Sequence, residues 1–159
     1  MNKRLITLIS GELKRLTKYN VTTVSVLVAL MWMGLLYFIN DTDVFLTFLP
    51  FIIMIDASMM AVMYIGAIMF FEKSESTIST MLVTPATEDE LILSKVFGNV
   101  IHMLFSILLI VIVFYFLKHI EIHFVLTIFV IIVSVFFHSL LGFAFSYHTK
   151  DFTSMLLIV

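Results

Sequence analysis

Residues 21–39 run without a single charge, and a stretch of that kind leaves a chain few folds to choose from. As a helix rising 1.5 Å per residue it covers roughly 28 Å, close to the ~30 Å hydrocarbon core of a bilayer. In hydrocarbon every backbone N–H and C=O must be satisfied internally, so such a run spans as a helix or within a closed barrel. Three more runs follow at 44–71, 96–117 and 123–145, separated in part by tight turns at 40–43 and 118–121. Charged residues make up only 13% of the chain, against about 25% in soluble domains. The expected fold is therefore an all-α polytopic membrane protein, a single transmembrane domain over residues 1–159. The second run is long enough to tilt, and Pro50 sits near its start, where a helix tolerates proline.

Residues 1–20 are polar on average but patterned. Leu5, Leu8, Ile9, Leu13 and Leu16 recur at helical spacing while Lys3, Arg4, Lys14, Arg15 and Lys18 take the other faces. A helix lying in the headgroup layer needs that division; a solvated basic tail is the plainer alternative. Basic residues also set the orientation. With the N-terminus cytoplasmic, Lys3, Arg4, Lys14, Arg15, Lys18, Lys73, Lys95 and Lys150 are inside and only Lys118 is outside.

The long polar interval, 72–95, lies between the second and third runs. Ser76 or Thr77 can cap a short helix with Ile78, Met81 and Leu82 on one face. Pro85 ends it, and Thr87 with Glu90 three positions on forms a capping box for the next helix. The order Glu72-Lys73-x-Glu75-x-Thr77-Ile78, then Leu82-x-Thr84-Pro85, then Glu90-Leu91 and Ser94-Lys95, resembles the loop between the second and third spans of ABC transporter type-2 permeases. One position departs, since the family usually has Gly where this chain has Ser76; serine is a good N-cap, so the helix start is expected to survive.

The resemblance implies a membrane subunit of an ATP-driven exporter in the bacterial cytoplasmic (inner) membrane. Residues 74–84 would be its coupling helix, docking in a separate ABC ATPase subunit that binds ATP and Mg. Glu72, Glu75, Ser76, Thr77, Met81, Thr84 and Pro85 carry that role over from the motif. Residues 1–20 match the family's elbow helix, with Glu12-Leu13-Lys14-Arg15-Leu16 resembling its usual chemistry. A second permease half, identical or not, is implied as the partner enclosing a path. The family has further spans, so a chain that stops just inside a fifth run, at 152–159, is expected to be a fragment. This chain itself offers no Gly-x-x-x-x-Gly-Lys-Ser/Thr stretch for phosphate, no zinc-protease motif and no basic aromatic stripe for nucleic acid.

Asp56 is the acid inside a span, and an ionised carboxylate there costs several kcal/mol unless it is served by neighbours or water. Depth counting places it roughly 16 Å in, with Ser106 and Ser134 level and His102 and His138 a turn deeper. These residues can line a substrate path, relay protons, or simply join helices through hydrogen bonds. Asp56 with His102 or His138 would suit a proton-coupled secondary transporter or channel, the competing function; a non-transporting scaffold or immunity protein is a third. His119 and His123, four apart at the second turn, lack a shared helix and make a weak metal pair. Ala57, Ala61, Gly66, Gly98 and Gly142 allow close helix approach. Five methionines in the second span, Met54, Met59, Met60, Met63 and Met69, give it an adaptable surface.

Overall fold

The computed structural model describes residues 3–119, 121–149 and 151–157. Among them the chain is helical throughout: α1 (Lys3–Lys18), α2 (Val21–Tyr37), α3 (Thr42–Ile55), a π-helical turn (Asp56–Met60), α4 (Ala61–Ser74), α5 (Thr77–Leu82), α6 (Glu88–Lys118), α7 (Phe124–His148) and α8 (Phe152–Leu156). Local chemistry sets several boundaries. The Asp41 carboxylate accepts from the Asp43 and Val44 amides and starts α3. The Thr87–Glu90 capping box closes in both directions, at 3.3 and 3.1 Å, and starts α6. Lysines serve carbonyls left open at helix ends: Lys118 donates to the Ile39 carbonyl at 2.9 Å, and Lys73 donates to the carbonyls of Ser146 and Thr149 at the end of α7.

Three helical stretches are long and apolar enough to cross a membrane: Thr42–Ser74, Glu88–Lys118 and Phe124–His148. The first expected span is shorter than anticipated, because α2 ends at Tyr37 after 17 residues. It counts as a fourth only together with α1, to which it is bent by 69°. The bend pivots on Asn20, whose φ of 58° is left-handed, a conformation asparagine tolerates better than most residues.

α4 packs along α7 over a seam where only glycine fits. A Cβ at Gly142 would come within 2.9 Å of the Val62 backbone. Gly66 likewise admits the Met155 side chain of α8, and Gly98 admits Glu12 of α1. The main core gathers α4, α6 and α7 residues such as Ile65, Met103, Ile107 and Val135, with Leu16 of α1. A second cluster joins α2, α3 and α6 through Leu36, Phe45 and Phe114, the last two rings 5.1 Å apart.

Candidate functional site

The 72–95 interval folds as its residues direct and is then gripped by α1. Thr77 to Leu82 makes a six-residue helix, the short helix its pattern predicts. Its start survives the Ser76 departure, though not by capping. Ser76 sits at φ 56° with no side-chain cap bond to the helix. That is a conformation glycine enters freely and L-residues enter at a cost, which accounts for the glycine usual there.

The grip begins at the far end of α1, where Arg4 donates to the Pro85 carbonyl at 2.9 Å and lies 3.6 Å from Glu90. At the near end Tyr19 stacks on Phe71 with centroids 4.8 Å apart and donates to Glu75 at 2.7 Å. Lys18 reaches the same carboxylate at 3.4 Å. The bond from Tyr19 holds the Glu75 carboxyl below its ordinary 4.5. Burial, reinforced by the bond to Glu75, pushes the Tyr19 hydroxyl up to about 12, so it stays a donor at neutral pH.

Between these contacts lies a buried charge cluster. Lys95 of α6 is 2.6 Å from Glu72 and 3.2 Å from Glu12. Arg15 joins the same two acids at 3.0 and 2.7 Å and also contacts the Met81 sulfur. Glu72 is 0% exposed, Glu12 3% and Lys95 5%. The cluster is balanced, two acids against two bases, which is what makes burial of charge tolerable. Burial nonetheless raises the Glu12 carboxyl above its ordinary 4.5, outweighing the pull of Lys95.

The expected docking residues therefore divide. Glu72, carried over from the motif as a docking position, is buried and ties α1, α4 and α6 together. Met81 is half-buried against Arg15. Thr77 donates to the Glu72 carbonyl at 3.2 Å. Thr84 and Pro85 are exposed, Glu75 is open on one side, and beside them Val83 is 84% exposed. Val83 was assigned to no interaction by the helical pattern; an apolar residue immediately before Thr-Pro was the signal available. The side chains of Ile78 and Leu82 lie outside the described residues.

Inside the membrane-spanning part the expected polar layer separates. Asp56 is 3% exposed and opens the π-helical turn, where the Ser58 hydroxyl donates to the Met54 carbonyl at 2.7 Å. The Trp32 indole N–H faces Asp56 without closing a well-formed hydrogen bond, and Tyr64 is in electrostatic reach. His102 packs edge-on to Tyr64 at 5.7 Å, with its Nε2 3.2 Å from the Ser25 hydroxyl. Asp56, Tyr64, His102 and Ser25 thus form one buried group. The His138 ring lies 2.8 Å from the Ser134 carbonyl and 3.4 Å from its hydroxyl and packs edge-on to Phe137, and no hydrogen bond among the described residues joins Ser134, His138 or Ser106 to Asp56. Asn99 was overlooked although it is an amide in an apolar run; it donates to Ser139 at 2.8 Å and to the Ala61 carbonyl at 3.0 Å, linking three helices. His119 ends α6 and His123 precedes α7, so no helix aligns their rings.

A family model described as ABC-2 type transporter matches residues 4–159 of this chain. No curated protein and no solved structure matches it.

Proposed function

The chain belongs to the ABC-2 type transporter family, and from that premise we propose that it is the permease subunit of an ATP-driven export system, docking its ATPase through the 72–95 loop. It is a multi-pass membrane protein of a family that normally works with an ABC ATPase subunit. In this reading ATP and Mg are bound by that partner, the loop and N-terminus are cytoplasmic in a bacterial inner membrane, and a second permease half completes the path. Eight of nine basic residues on the loop side support the orientation.

The observation that carries the docking reading is the exposed tip Val83-Thr84-Pro85 on a loop otherwise tied down. An apolar anchor ringed by polar groups is what a partner cleft takes up. The tip also has a route inward. Arg4 holds Pro85, Arg15 touches Met81, and the same arginine bonds Glu72 at the end of α4, which shares Lys95 with α6. A displacement of the tip is thus passed to two spans through hydrogen bonds and then ion pairs, while α1 lies as an elbow in the headgroup layer. Asp56, Tyr64 and His102 lie on the spans so moved, facing Ser25 of α2, and serve as part of the path. No observation favours a proton-coupled transporter or a scaffold instead.

The test is co-purification of the full gene product with its co-expressed ATPase in mild detergent. Wild type is expected to retain the ATPase, while Val83→Asp loses most of it and keeps its own helical content. Absence of the ATPase from the wild-type complex would defeat the reading.

A further inference from the structure

At the end of the spans opposite the 72–95 loop, a cavity of 360 Å³ opens between α3, α6 and α7. Its volume falls in the range of ligand sites, which are mostly apolar with a few convergent polar groups. Buried Leu49 and Ile131 line it together with Ile53, and the exposed Glu121 and His123 line it beside Thr127. Two features of this lining specify what would fit.

The first is an unpaired negative charge. Glu121 makes no ion pair among the described residues, and no lysine or arginine lines the cavity. The second follows from Pro50, which lies inside α3 and lines the same wall. Proline has no N–H, so the Leu46 carbonyl four residues earlier loses the partner that a helix would give it. Leu46 is itself a lining residue, and a carbonyl deprived of its helical donor near hydrocarbon gains from any other donor within reach. A carboxylate and a freed carbonyl together ask for a compact cation with several N–H donors. The Phe124 amide at the start of α7 is taken by the Ile122 carbonyl at 3.0 Å; beside it, the His123 ring and the Val125 and Leu126 amides of the first turn offer donors for an anion.

We propose that this cavity is a binding site for a zwitterionic phospholipid with a primary ammonium headgroup. The ammonium bonds Glu121 and the Leu46 carbonyl, the phosphate meets His123 and the start of α7, and an acyl chain lies along Leu49, Ile53 and Ile131. The location commits the site to lipid, since the cavity opens between apolar helix faces, with Leu46, Met54 and Leu126 exposed around it. The proposal is independent of ATPase docking.

The experiment is native mass spectrometry of the full chain released from micelles holding equal amounts of phosphatidylethanolamine and phosphatidylglycerol with identical acyl chains. Wild type is expected to retain the ethanolamine lipid about fivefold over the glycerol lipid, the factor of a partly exposed charge pair. Glu121→Gln should bring the ratio to about one while still carrying the glycerol lipid at the wild-type level, which also shows that the variant is folded. Asp43→Asn removes an acid at the same end that does not line the cavity, and should leave the preference intact. Equal retention of both lipids by wild type overturns the site. So does a preference that survives Glu121→Gln, or one that Asp43→Asn abolishes to the same extent, because surface charge rather than the cavity would then select the lipid. Each of these outcomes can occur with ATPase co-purification unchanged.

Discussion

Glu72 and Asp56 are acids of one continuous helical stretch, both buried, and they are served in opposite ways. At the loop end Glu72 has Lys95 at 2.6 Å and Arg15 at 3.0 Å, with Glu12 completing a balanced set. In the π-helical turn Asp56 has no ion pair among the described residues, with Trp32 and Tyr64 close by. The difference follows from where bases can be brought. At the loop end the basic amphipathic α1 lies against the spans and brings Arg15 to Glu72, whereas within an apolar span any new lysine would carry its own desolvation cost. One acid is locked to its neighbours by charge. The other is a polar point that the surrounding structure can leave neutral or hydrated.

The comparison breaks most sharply at Lys95. Lys95→Met leaves two buried carboxylates with Arg15 alone, and removing one partner of a buried ionic set costs about 3–5 kcal/mol. Thermal unfolding in detergent should show a large drop for that variant, and adding Glu72→Gln should recover most of it. A single variant as stable as wild type would mean the cluster holds nothing.

Asp56→Asn should do far less to stability. No base is orphaned, so the change is expected to stay within about 1 kcal/mol while transport by the assembled complex falls. A loss of stability equal to that of Lys95→Met would show that Asp56 has a structural partner of its own.

The smallest effect is in pH dependence, where Glu12 and Glu75 pull oppositely. The Glu12 carboxyl titrates above its ordinary 4.5 in the folded chain. Its contribution is therefore full below 4.5 and is lost as pH rises through the raised value. Glu75 titrates below 4.5, so its contribution is present above that pH and is lost on acidification. Melting curves across the acid range should show Glu12→Gln flattening the decline as pH rises, and Glu75→Gln removing the decline on acidification. Matching profiles for the two variants would contradict the assignment.

What the sequence determined by itself is what depends on near neighbours and on bilayer thickness. Charge-free runs twice as long as a barrel strand pointed to helices, Pro85 to an interruption, and Thr87 with Glu90 to a new start. Each rests on contacts within a turn or on burial of backbone in hydrocarbon. Ser76 was read only halfway, because serine's capping chemistry is local but its left-handed backbone is set by how α1 holds both ends of the loop.

Tertiary structure alone decided which polar groups meet. Glu12 and Glu72 are 60 positions apart, and nothing near either one announces the other. In α4, α6 and α7 apolar residues occur all round the helix, so the periodicity that marks a buried face in a water-soluble helix is absent. Rotation is then set by close packing at Gly142 and Gly98, and a rotation decides whether a residue at a known depth faces lipid or a neighbour. Hence depth counting set Asp56, His102, Ser134 and His138 at similar levels but could not say which of them share a neighbour. The same rotation turned Glu72 inward and left Val83 as the apolar tip of the loop.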